Sequence, residues 1–175
     1  MEPETFTAYN RIVGVPVVRA GVAMVPAFKS VVPTADIKLI GAKRHHDHNN
    51  NTYARSYLDE LENEHVDSKS VYVLDTVLAS GVSLGATIDI LKGHGARDIS
   101  VITGLAAPEG VAEINRQHPD AKVYTGCMAQ GTNDIKYIGD PTPGDAGDNL
   151  FGVDEPWQEV VKHYKEDETL AYYQK

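Results

Sequence analysis

The stretch Val71-Tyr-Val-Leu-Asp-Thr-Val-Leu-Ala-Ser-Gly-Val-Ser83 decides how this chain folds. Its first four residues are apolar and rich in β-branched side chains, which predicts a short core strand over residues 71–74. From Ser83 onward Leu84, Ile88 and Leu91 recur at helical spacing, with Ser83 as the expected N-cap. Between strand and helix, Ala79-Ser-Gly-Val-Ser83 forms a loop whose successive backbone N–H groups aim at one point. With a helix N-terminus behind it, that point suits a phosphate dianion. Asp75, at the carboxyl end of the strand, is placed to accept hydrogen bonds from ribose hydroxyls. The segment matches neither the Walker nor the dinucleotide fingerprint, and alone it also suits an ordinary strand–turn–helix connection.

On either side of this segment the chain alternates strand-like and helix-like runs. Residues 11–18 read as an apolar strand, residues 21–32 as a helix interrupted by Pro26, and residues 37–41 as a second strand. Residues 99–103 and 123–124 supply further strands, and a helix runs from residue 109 to about residue 117. This order predicts an α/β fold, a mostly parallel twisted sheet with helices on both faces. Ligands of such sheets bind at the carboxyl ends of the strands. Topology alone therefore sends Arg19, Asp75 and residues 105–108 to one crevice.

Composition narrows the class of protein. The 175 residues are enough for one compact domain with a real core. A hydrophobic content of 42% with mixed charge excludes a disordered or fibrous chain. The net charge of −9, with no basic run to offset it, argues against nucleic acid or an anionic membrane as partner. The single cysteine, Cys127, leaves no internal disulfide framework and suits a reducing compartment. No apolar run approaches the length needed to span a bilayer, and Met1-Glu-Pro-Glu has neither the cationic nor the apolar part of a signal peptide. The expected location is cytoplasmic.

Four blocks follow one another along the chain: Val15-Pro-Val-Val-Arg-Ala-Gly21, the segment from Asp75 to Ser83, Ala106-Ala-Pro-Glu-Gly110, and Tyr137-Ile138 followed by Gly144-Asp-Ala-Gly-Asp148. In series they closely resemble the uracil phosphoribosyltransferase family of pyrimidine salvage, over about residues 13–152. The resemblance implies a type I phosphoribosyltransferase fold with a flexible hood or hairpin, in a domain spanning residues 1–153. It implies the reaction of uracil with phosphoribosyl diphosphate (PRPP) to give uridine monophosphate and pyrophosphate. Asp75, Thr76, Val77, Leu78, Ala79, Ser80, Gly81, Val82 and Ser83 would then hold the ribose and its 5′-phosphate. Arg19 and Arg44 would contact the pyrophosphate, with Gly21 letting the backbone come close. Ile138, Gly144, Asp145 and Ala146 would read uracil, largely through main-chain groups. Asp145 would also face the sugar and join PRPP in holding Mg2+, which is bound mainly through the substrate. No catalytic residue beyond these binding groups is implied, and a homo-oligomer, dimer or higher, is expected.

The chemistry suits such a site. Breaking the anomeric bond leaves an oxocarbenium-like ribose and a departing pyrophosphate, so the enzyme must hold both ends rigidly and spread the leaving-group charge. Backbone donors and acceptors at fixed spacing match a pyrimidine edge, and an unpaired buried edge penalises the wrong base.

Several positions depart from the family pattern. Its phosphate loop commonly reads Asp-Pro-Met-Leu-Ala-Thr-Gly-Gly-Ser, from which Thr76, Ser80 and Val82 differ. Val82 matters only if its position requires a positive φ. One extra residue lies within residues 139–143, Asn149 replaces a basic residue, and few residues precede the first strand. In Arg44-His-His-Asp-His48, His45, His46 and His48 stand where the family has acidic residues. Histidine and carboxylate are ligands for zinc or nickel. Beside Asn49, Asn50 and Asn51, however, this segment reads as a mobile, solvated loop, with PRPP binding that is pH-sensitive near neutrality as a further expectation. Residues 154–175 form an expected helical extension in which Trp157, Val160, Val161 and Tyr164 share a face, covering the same subunit or a dimer partner. A second function of another class stays open: a non-catalytic paralogue serving as a structural or ligand-sensing subunit.

Overall fold

The computed structural model describes residues 11–46, 52–62, 64–132, 138 and 146–152. The expected extension over residues 154–175, and the segment 139–145, lie outside the described residues. Strand β1 (Ile12–Val18) is buried at five consecutive positions, residues 13–17. Alternation is lost because both faces of the sheet are covered there, as in parallel α/β sheets. Pro16 has no N–H to donate, and it stands opposite a break between two short partners. Those partners are β2 (Asp36–Ile37) and the start of β3 (Ile40–His46). The single strand expected over residues 37–41 is thus two strands laid end to end along β1. Lys38 bridges the break by donating its backbone N–H to the Gly14 carbonyl at 3.0 Å.

After β1 the chain makes a 3-10 turn over Ala20–Met24 and then α1 (Val25–Val31). Pro26 does not interrupt a helix. It lies in the first turn of α1, where a missing N–H costs nothing. Strand β3 pairs antiparallel with β4 (Thr52–Asp59), a strand that hydrophobic patterning did not announce. The backbone of Arg44, His45 and His46 therefore belongs to a strand, opposite Ala54, Tyr53 and Thr52, and not to a loop. Asp47 and His48 lie outside the described residues.

Strand β5 (Ser70–Leu78) is followed by α2 (Val82–Gly93), β6 (Asp98–Ala106), α3 (Pro108–Gln117), β7 (Lys122–Met128) and the short α4 (Ala146–Phe151). The 7-stranded sheet runs β4-β3-β1-β5-β6-β7, with β2 also on β1. Every pairing except β3–β4 is parallel, as the alternation of elements predicts. One core joins Val13, Val15 and Val17 of β1, Val71 and Val73 of β5, and Ile99 and Val101 of β6 to α2. Helix α2 meets it with Leu84, Ile88 and Leu91, the face its sequence spacing announces, and α3 adds Ile114. Among the described residues no helix is long and apolar enough to cross a membrane.

Candidate functional site

The parallel strands β1, β5 and β6 end on one side, where the chain leaves a cleft of about 830 Å3. Arg19, every residue from Asp75 to Ser83, Ile138 and Ala146 line it. Segments more than a hundred residues apart in sequence thus meet at one place; of the residues that topology sends there, Arg19 and Asp75 line the cleft and residues 105–108 do not. Arg44 occupies β3 two residues beyond Ala42, which is itself in the cleft wall. Gly144 and Asp145 lie outside the described residues. The wall also contains Tyr57 of β4 and Gly147 and Asp148 of α4. Asp148 ends the Gly144–Asp148 block, so its letter was in view; nothing in the sequence marked Tyr57.

The phosphate-loop candidate is shorter than expected because α2 already begins at Val82, while β5 runs up to it through Leu78, with Val77 and Leu78 still paired to Leu105 and Ala106 of β6. The turn proper is Ala79, Ser80 and Gly81. Gly81 caps α2 with φ 81°, a left-handed conformation that glycine adopts without steric cost. Its carbonyl accepts the Gly85 N–H at 2.7 Å. Ser83 is therefore inside the first turn of α2 and is not its cap. Val82 is the first helical residue, so replacing glycine there demands no positive φ. Gly110 of α3 lies against the turn: a Cβ on it would stand 2.3 Å from the Ala79 carbonyl oxygen. Thr76 Oγ1 is buried in the cleft wall with no hydrogen-bond partner among the described residues.

On the opposite wall the Val18–Arg19 peptide bond is cis. The Arg19 guanidinium reaches α4, pairing through one terminal nitrogen with Asp148 and donating through the other to the Gly152 carbonyl at 3.0 Å. Gly21 also allows a close approach within the fold. It is buried against β5, and a Cβ on it would stand 2.2 Å from the Leu74 carbonyl oxygen. Tyr57 lies over Gly41, where a Cβ would stand 2.5 Å from the ring, and donates its hydroxyl to the Val18 carbonyl at 3.4 Å.

Among the described residues no three histidine, cysteine or carboxylate groups converge as a metal site. The described carboxylates of the cleft are Asp75 and Asp148. Such a set suits a hard cation that arrives with its own anionic oxygens better than a resident ion. A guanidinium, a glycine turn and a helix N-terminus face one space with Asp75, a combination able to hold a polyanion that carries hydroxyls.

The sequence model of the family described as uracil phosphoribosyltransferase matches residues 1–153. Two similar curated proteins carry that name. One, from Chlamydia muridarum, is 40% identical over 147 residues, covering 84% of this chain and 47% of that protein. The other, from Acinetobacter baylyi, is 37% identical over 145 residues, covering 83% of this chain and 66% of that protein. The chain thus spans about half the length of the first and about two thirds of the second. A solved protein of Aquifex aeolicus superposes with a TM-score of 0.75 at 30% identity, over 83% of this chain and 67% of that one. A purine phosphoribosyltransferase from Pyrococcus horikoshii, at 15% identity and a TM-score of 0.53 over 72% of this chain and 74% of its own, shares the fold.

Proposed function

The chain belongs to the uracil phosphoribosyltransferase family, and from that membership we propose that it joins uracil to PRPP, releasing pyrophosphate and forming uridine monophosphate. The observation that carries the proposal is the convergence of Arg19, Asp75, the Ala79–Gly81 turn and Ile138 with Ala146 on one cleft. In this reading the turn and the α2 N-terminus take the 5′-phosphate through backbone N–H groups. The Asp75 carboxylate accepts from the ribose hydroxyls, and Arg19 and Arg44 take the diphosphate. Ile138 and Ala146, with Gly144 and Asp145, present main-chain groups to the pyrimidine edge. Mg2+, held mainly by the diphosphate and its own waters, would supply charge neutralisation when bound, with Asp145 as the carboxylate that the family resemblance implies. Loss of the leaving group then depends on how rigidly these residues hold its two ends. A cytoplasmic homo-oligomer is part of the proposal; the exposed, free Cys127 supports a reducing compartment.

The test is uridine monophosphate formation by the purified protein from uracil, PRPP and Mg2+. Asp75→Asn and Arg19→Ala are each expected to lower kcat/KM by about 100-fold. A folded wild-type sample that binds PRPP but forms no product would leave the non-catalytic, ligand-sensing subunit as the reading.

A further inference from the structure

We propose that Asp148 is a positioning residue: it holds the Arg19 guanidinium in the orientation in which the diphosphate meets it. The inference rests on the reading of Arg19 as a diphosphate contact. It adds a residue that acts on that contact through α4.

Arg19 leaves the end of β1 on a long, rotatable stem, and its side chain is 40% exposed. A guanidinium so placed explores many orientations, and an anion that binds it bears the entropy of fixing it. Here both terminal nitrogens are anchored, one by the Asp148 carboxylate and the other by the Gly152 carbonyl at 3.0 Å. Two acceptors on separate nitrogens fix a plane as well as a position. A guanidinium carries five N–H donors, so two such bonds leave three for an anion. The anchors are well supported. Asp148 is in α4 and Gly152 follows its last residue; α4 packs on the 3-10 turn that begins immediately after Arg19, with Gly147 buried in the contact. Asp148 itself is in the cleft wall beside Arg19. A carboxylate acting only as a competitor for the guanidinium would need charge alone; the paired Gly152 carbonyl makes the arrangement an orienting one.

The experiment is calorimetric titration of the full chain with magnesium pyrophosphate, beside steady-state kinetics. Asp148→Ala is expected to weaken pyrophosphate binding about three- to tenfold, the cost of ordering one freed arginine. It should raise KM for PRPP by a similar factor and leave KM for uracil unmoved. Asp148→Asn, which keeps an acceptor oxygen and the shape, should fall between; it carries the comparison if the alanine variant does not fold. In an Arg19→Gln background the Asp148 substitution should have no further effect, because its action runs through that side chain. An equal loss in both backgrounds, or tighter binding on removing Asp148, overturns the inference and leaves the proposed function standing. A wild-type protein that binds no pyrophosphate overturns both. Pyrophosphate binding with the expected cycle but no turnover of uracil supports the inference and overturns only the proposed reaction.

Discussion

The two ends of the sheet are closed by different means. At the amino end Asp98 accepts from the Ser70 hydroxyl at 2.7 Å and lies 3.5 Å from the Lys122 ammonium, tying β5, β6 and β7 together. Lys92, in the last turn of α2, pairs with Asp120 at 2.6 Å. At the carboxyl end the close contacts are main chain against glycine: Gly21 on the Leu74 carbonyl and Gly110 on the Ala79 carbonyl. These charged and hydroxyl groups at the amino end answer one another. At the carboxyl end the Thr76 hydroxyl is buried without a partner among the described residues, while Arg19, anchored by Asp148 and the Gly152 carbonyl, lines the cleft with Asp75. Removing Cβ atoms lets backbone segments meet tightly without spending side chains on the contact, so the side chains at this end line a cleft. The same sheet is a closed edge at one end and a receptor at the other.

The contrast is broken most severely at Gly21. A methyl group there would meet a backbone carbonyl, which cannot rotate away, so Gly21→Ala must shift the 3-10 turn or β5. Overpacking of this kind is expected to cost about 3 kcal/mol, which lowers the melting temperature by roughly 10 °C in a chain of this size. Thermal unfolding followed by circular dichroism checks it; an unchanged melting point would mean that this approach is looser than it looks. Gly110→Ala pushes on Ala79 from behind the turn. Its expected effect is smaller on stability, about 1–2 kcal/mol, and specific in function: KM for PRPP should rise about tenfold while KM for uracil holds, because a misplaced turn no longer aims its N–H groups together. Equal effects on both substrates would show that α3 supports the whole cleft and not the turn alone.

The sequence carried the parallel core and the meeting of its strand ends, since short β-branched runs and the Leu84, Ile88 and Leu91 spacing depend on local pattern only. It ended β5 too early because Asp75 and Thr76 read as turn residues, whereas a buried parallel strand keeps its ladder through polar residues that face a cleft. It passed over β4 because Tyr53, Arg55, Ser56 and Tyr57 are all exposed, so an edge strand leaves no alternation to find. It placed the α2 cap at Ser83 by residue preference, while the left-handed φ at Gly81 decides the cap. The Arg19–Asp148 pair, separated by more than a hundred residues, has no local signal at all. The site residues were visible as letters in series. Their mutual anchoring was visible only in three dimensions.

Val82 sharpens the same comparison with a smaller effect. Because it opens α2 in a helical conformation, Val82→Gly removes no strain and adds unfolded-state freedom. The expected outcome is a loss of roughly 0.5–1 kcal/mol in stability, with kcat/KM changed less than about twofold, against the melting curve and the rate assay together. A large gain in activity would mean that the main chain needs, during turnover, a conformation that valine resists.

The smallest effect belongs to the closed edge. The Ser70 hydroxyl above all holds the Asp98 carboxyl below its ordinary value of 3.8, against the desolvation that opposes it and with help from the Lys122 ammonium. A depressed folded-state pKa adds stability that is present above the unfolded value and lost as pH falls through the folded one. Asp98 is about half exposed, so solvent screening limits the contribution to about 0.5 kcal/mol. Asp98→Asn should therefore lower the urea midpoint slightly at about pH 7, and the gap to wild type should close as the pH is taken below the ordinary aspartate range. Turnover should not change, because the substitution lies at the end of the sheet away from the cleft. A variant that lost activity at full stability would join the two ends of the sheet functionally, and the division between closed edge and receptor would fail.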